Sequence, residues 1–270
     1  MSTNDSCPIV HIHDSPDDLR HMLRVYMPRL GGPSPAFHTN APKYSYDAVA
    51  AAVRLGHKYQ MSALLDDALS FLKTYYPTDY DKWKAYTQYG PPGFSRECAI
   101  GVVSLARLTN DMGLLLMALL VCCTIGDGEK IVNGFKREDG SREHLTPSDI
   151  GLCYSAKTRL VAASARLMLR VFLPEVSDAC KTSLSCMQGF QRIIKALGDD
   201  TSSFNQHPDP SVSTYAFQAA LKKGGLCVHC RKVVVQREMR ERKSAWAKLP
   251  EAFGLALPPQ GPIEAGQAGV

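Results

Sequence analysis

The sequence predicts a mainly α-helical protein, with a partial α/β unit at its N-terminus and a longer helical region behind it. Three observations carry that reading. Apolar residues recur at three- and four-residue spacings over most of the chain, polar caps followed by proline or acidic residues mark several helix starts, and one short stretch alternates with the two-residue period of a strand.

That stretch is Pro8-Ile9-Val10-His11-Ile12-His13, which reads as a short, half-buried strand. Ser15-Pro16-Asp17-Asp18 follows with an N-cap, a proline at the first helical position and two acids in the first turn. Leu19, Met22, Leu23 and Tyr26 then mark one face of a helix over 16–27. Gly31-Gly32-Pro33-Ser34-Pro35 and Pro42 punctuate a loop, after which Ser45 caps a helix carrying Val49, Val53 and Gly56. The next helix is expected over 62–76, with Leu65, Leu69, Leu72 and Tyr76 in register. Pro77-Thr78-Asp79 opens a short helical piece through Trp83, which Gly90-Pro91-Pro92-Gly93 ends, and Ser95 offers a cap for a helix reaching Leu108.

Residues 112–125 are apolar all round but only 14 long, short of the roughly 18–20 that a bilayer-spanning helix needs. They read as a buried core helix. Thr146-Pro147-Ser148-Asp149 repeats the capping pattern and opens a long helix with Cys153, Leu160, Val161, Leu167, Met168 and Val171 on one side, closed by Pro174. Further helices are expected at 183–197, 211–222 and 229–247. Beyond Leu255 the chain is rich in Pro, Gly, Gln and Ala, the composition of a disordered tail.

A chain of 270 residues exceeds a domain of ordinary size, so two units are expected, 7–76 and 77–255, with a tail at 256–270. With 45% hydrophobic and 21% charged residues there is ample material for packed cores. The N-terminus has neither the basic segment nor the apolar run of a secretory signal, which points to an intracellular setting. Nine cysteines in that setting read as reduced thiols or metal ligands more than as disulfides. The net charge of +5 is local: Arg231, Lys232, Arg237, Arg240, Arg242, Lys243 and Lys248 face only Glu238 and Glu241 within 231–248, and the rest of the chain balances.

Residues 10–26, residues 52–61 and the helix closing at Tyr76 together resemble the second half of a BTB/POZ domain. The most specific part is Leu55-Gly56-His57-Lys58-Tyr59-Gln60-Met61, where that family carries its A-x-K-Y-x-M signature. The match is closest to the BTB/POZ proteins of mushroom-forming fungi (Agaricomycetes). Tyr89-Gly90-Pro91-Pro92-Gly93-Phe94, Ala99-Ile100-Gly101-Val102-Val103 and Leu249-Pro250-Glu251-Ala252-Phe253-Gly254-Leu255 are similar to their C-terminal region. The resemblance implies a non-catalytic adaptor with a protein partner, through self-association or docking of a cullin-type ubiquitin ligase. In that family those contacts use a β-hairpin and two helices that precede the matched region, so the part present here is expected to leave apolar faces uncovered.

Cys227-Val228-His229-Cys230 is the clearest chemical motif, since two thiolates two residues apart can reach one metal from a tight turn, and the following helix directs its N–H groups at them. Cys180 and Cys186 can supply the second pair, giving four sulfurs for a structural zinc ion. The resembling fungal proteins imply paired cysteines in the same two places. Other readings stay open: Cys180 and Cys186 as small buried residues, or the CxxC as a reactive dithiol. Cys122-Cys123 belong to the core helix.

The segment 231–248 reads as a solvated amphipathic helix with Val233, Val234, Met239 and Trp246 on its apolar side, packed on the metal loop; its charge makes nucleic acid the alternative partner. No nucleophile–base pair, supported carboxylate pair or phosphate loop suggests an enzyme. His11, His13 and His57 have no catalytic company, and Gly126-Asp127-Gly128-Glu129 and Glu138-Asp139-Gly140-Ser141 resemble turns.

Overall fold

Helix caps and two sharp left-handed residues set the first half of the architecture. The computed structural model describes residues 11–26, 44–85, 88–199, 208–212 and 215–256. In chain order these form α1 (Pro16–Tyr26), α2 (Tyr46–Lys58), α3 (Ser62–Tyr75), α4 (Tyr80–Ala85), α5 (Cys98–Leu108), α6 (Met112–Thr124) and α7 (Gly128–Asn133). A hairpin of β1 (Phe135–Lys136) and β2 (Arg142–Glu143) follows, then α8 (Pro147–Val171), α9 (Ser183–Asp199), α10 (Tyr215–Gly224), α11 (Val228–Ala247) and α12 (Leu249–Phe253). The protein is mainly helical.

Ser45 caps α2 by accepting the Ala48 N–H, and Thr146 caps α8 by accepting the Asp149 N–H, as their sequences predict. The links α2–α3 and α5–α6 are built alike. Gln60 and Asn110 both take φ 54°, and the next residue returns its N–H to the helix, Met61 to the Gly56 carbonyl and Asp111 to the Ala106 carbonyl. This is the left-handed helix stop that reverses a chain within three residues. In the first of these links it is the run Lys58-Tyr59-Gln60-Met61 that makes the stop.

The larger core gathers α2, α3, α5, α6, the first half of α8 and Trp246, Leu249 and Phe253 from the C-terminus. Helix α6 runs through it with every side chain from Leu114 to Thr124 buried, as its unbroken apolarity requires. The predicted division at residues 76 and 77 falls inside this core, because Tyr76, Tyr80 and Trp83 belong to one cluster with Leu72 and Ile100. A smaller core joins Leu167, Met168, Val171 and Phe172 to α9, α10 and Val234 of α11. Helix α8 spans both.

Contact between α2 and α5 depends on Gly101, where an added Cβ would lie 2.0 Å from the buried Tyr46 hydroxyl. Gly101→Ala is therefore expected to destabilise by about 1–3 kcal/mol, read as a lowered denaturation midpoint at unchanged slope.

Several expectations are corrected. His11, Ile12 and His13 are irregular and exposed, with no strand paired to them among the described residues; the rest of that predicted strand lies outside the described residues. The apolar faces of α2 and α3 are not left open: Val49, Val53, Leu64, Phe71 and Leu72 are buried in the larger core together with residues of α5 and α6. Asp127 does not sit in a plain turn but caps α7 by accepting the Glu129 N–H. Helices expected from Ser95 and residue 211 begin instead at Cys98 and Tyr215. Apart from Ala256, the predicted tail lies outside the described residues, as does the glycine–proline loop.

An ion-pair network fastens α1 and the hairpin to this body. Arg54 on α2 holds Asp18 of α1 with two nitrogens, at 2.9 and 3.1 Å, and reaches Glu143 on β2. Arg137 joins Asp18 to Asp47 at the start of α2. Both aspartates are buried, so each guanidinium offsets a carboxylate that would otherwise be costly to remove from water.

Candidate metal centre

Four sulfurs converge at the edge of the smaller core. Cys180 lies in the loop after α8, Cys186 in the first turn of α9, Cys227 at the N-cap of α11 and Cys230 in its first turn. Their Sγ atoms all lie within 4.8 Å of one another, and those of Cys180 and Cys227 are 3.7 Å apart. Tetrahedral zinc with Zn–S bonds of about 2.3 Å puts its sulfurs about 3.8 Å apart, whereas a disulfide needs about 2.05 Å. The spacing fits a shared cation.

The backbone around the cluster is arranged for negative sulfur. Cys230 Sγ accepts the Ser177 N–H at 3.4 Å, Cys186 Sγ accepts the Cys227 N–H at 3.4 Å, and Cys227 Sγ accepts the Cys230 N–H at 3.5 Å. The Thr182 backbone N–H draws the Cys180 thiol below its ordinary pKa, while burial pushes Cys230 up to about 12. Burial and crowding keep such thiols from ionising together on their own, whereas a divalent cation among them would favour the thiolate forms. Cys186 and Cys230 are buried and Cys180 and Cys227 partly exposed, so the site has a closed inner side and an outer edge. His229 is exposed and outside the cluster.

Two glycines that sequence reasoning passed over make the convergence sterically feasible. An added Cβ on Gly189 of α9 would lie 2.5 Å from the Gly224 carbonyl oxygen, and one on Gly224 would lie 2.5 Å from Ile193 Cδ1. This close passage, tied by the Arg192 guanidinium donating to the Gly224 carbonyl at 2.8 Å, delivers Cys227 to Cys186. The signal was the Gly224-Gly225 pair standing just before the CxxC.

The remaining cysteines do other work. Cys98, Cys122, Cys123 and Cys153 are buried in the larger core, with Cys123 donating to the Cys153 carbonyl at 3.5 Å, and Cys7 lies outside the described residues. His11, His13 and His57 are all exposed.

The basic helix differs from the predicted amphipathic one. The buried stripe of α11 is Cys230, Val234, Arg237, Glu238, Arg242 and Trp246, and Met239 points outward. Arg237 donates to the Val171 and Leu173 carbonyls and to Glu175. Arg242 donates to Glu238 and to the Pro210 and Val212 carbonyls, and Lys243 pairs with Asp81 at 2.8 Å. Much of the positive charge is thus turned inward or paired. Among the described residues, no helix is long and apolar enough to cross a membrane. No protein-family model, curated protein or solved structure matches the chain.

Proposed function

We propose that Cys180, Cys186, Cys227 and Cys230 hold one structural zinc ion, and that the chain is a non-catalytic module for binding other proteins. The observation that carries the zinc reading is the meeting of four thiols from two sequence-distant pairs within 4.8 Å. An all-sulfur set suits zinc over the hard cations, and four protein ligands leave no coordination position for a substrate. The ion would cross-link the starts of α9 and α11, the two helices that flank the smaller core.

The protein-binding role is supported by the BTB/POZ resemblance of residues 10–26 and 52–61 and by the inward turn of Arg237 and Arg242, which leaves α11 fewer cations for a phosphate backbone. Nucleic acid is the competing partner; binding that weakens steeply with salt would favour it. Purified protein is expected to carry about one zinc per chain by elemental analysis, and Cys227→Ser to lower that content severalfold. Metal-free wild-type protein with unchanged stability would refute the zinc reading. Affinity purification of this chain beside a form extended upstream tests the partner reading, which fails if neither retains a specific protein.

A further inference from the structure

Helix α9 has a second face that is exposed among the described residues. It turns Cys186, Phe190, Ile193 and Leu197 inward. On the other side Leu184 (84% exposed), Met187 (37%) and Ile194 (42%) stand in solvent with Gln191 and Gly198. These five follow one another at alternating intervals of three and four residues, the a/d spacing of a heptad seam, and fall within an arc of about 80° over roughly 21 Å of helix. The seam itself contains no charge.

We propose that this seam pairs with the same seam of a second copy of the chain, antiparallel about a two-fold axis through Gln191. The order of the side chains is self-complementary about that point. Gln191 is the midpoint of the stripe, so the axis sets Leu184 of one copy against Gly198 of the other and brings Met187 to within one residue of Ile194. Large faces small at the ends, and nothing lies within 4 Å of where a Cβ on Gly198 would stand, which leaves room for a leucine. At the centre the glutamine amide is both donor and acceptor and can bond its own copy. One polar residue at such a position also fixes register, because a slipped seam buries the amide without a partner.

The flanks agree with this pairing. Lys195 comes beside Gln188 of the other copy, with no like charges opposed, and Asp199 runs toward Lys181 ahead of the other α9. A parallel pairing would set Gly198 on Gly198 and open a gap at that end. The seam is short and holds one glycine and one amide, below the roughly 1,200 Å² that stable interfaces bury. The pair is accordingly weak and dependent on concentration. The inference rests on spacing and exposure and is independent of which metal the cysteines hold.

Sedimentation velocity of the full chain from about 5 to 500 μM is expected to show passage from monomer to dimer. Ile194→Lys, at a surface position, is expected to stay monomeric throughout with unchanged thermal unfolding. Should that variant fail to fold, Gln191→Cys decides. Treated with a short bismaleimide, it is expected to give several times more cross-linked dimer than wild type or Gln236→Cys. A monomer at 500 μM would overturn the proposal and leave the face to a different protein. So would a dimer that persists in folded Ile194→Lys, or cross-linking no greater at 191 than at 236.

Discussion

Serine in place of Cys230 is expected to release the proposed zinc ion and unfold the smaller core while the larger one stays folded. Cys230 is fully buried, receives the Ser177 N–H and stands one turn from Val234, the residue through which α11 enters that core. A structural zinc in a small site contributes about 10–16 kcal/mol of binding free energy, comparable to the 5–15 kcal/mol by which whole domains are stable. The smaller core, assembled from α9, α10 and pieces of α8 and α11, has little apolar surface with which to replace that contribution. Hydrogen exchange should therefore accelerate by orders of magnitude at Phe190, Ile193 and Val234 and change little from Leu114 to Val121. Acidification should act in the same direction, since protons compete with the metal for thiolates. Equal protection at Phe190 and Val234 in wild type and Cys230→Ser would show that the metal is not what holds this core.

Arg242→Met is expected to cost about 3–5 kcal/mol, the usual result of removing one partner from a buried ion pair. Its guanidinium donates to Glu238 at 2.8 Å, to the Pro210 carbonyl at 2.9 Å and to the Val212 carbonyl at 2.7 Å. The segment it grips also carries Asp209, which accepts the Trp83 indole N–H at 2.8 Å. One side chain thus ties α11 to a strap that in turn ties to α4. Methionine fills part of the volume but takes from the Glu238 carboxylate its Arg242 partner and from two carbonyls their donor. Lysine keeps the charge without the fork and should recover only part of the loss. Adding Glu238→Gln to Arg242→Met should restore about 1 kcal/mol, because the buried negative charge that Arg242 balanced is then gone. Urea unfolding at constant slope measures all three, and a loss below about 1 kcal/mol for Arg242→Met would contradict the role given to this residue.

What the sequence made legible was local. Ser45 and Thr146 act within three residues of themselves, and residues 112–124 are apolar on every side, so their caps and burial needed no knowledge of the fold. The four cysteines were readable for a related reason: the chemistry demands a second thiol pair, and only the pairing across some 40 residues had to be inferred. Arg237 and Arg242 looked like a solvated basic face because their partners, the carbonyls of Val171, Leu173, Pro210 and Val212, are 30 or more residues away. Strands of two residues are too short to show a period, so the β1–β2 hairpin left no pattern, and the ion pairs of Arg137 to Asp18 and Asp47 were hidden with it. The glycines of 126–129 suggested a turn, and the capping aspartate between them outweighed that tendency.

Helix α8 carries a consequence of a different kind. Cys153, Ala156 and Leu160 anchor its first half in the larger core, and Leu167, Met168 and Val171 anchor its last turns in the smaller one. Between them Val161-Ala162-Ala163-Ser164-Ala165-Arg166 is helical but contributes no buried side chain. Over that span the side chains are partly buried or exposed, so backbone hydrogen bonds carry most of the helix, and an isolated stretch of that length is not self-sustaining in water. The rod is therefore only as rigid as its two clamps. If the clamp at the cysteine end opens, the helix has a ready-made fraying point near Ala163, and a protease could cut there without first melting the larger core.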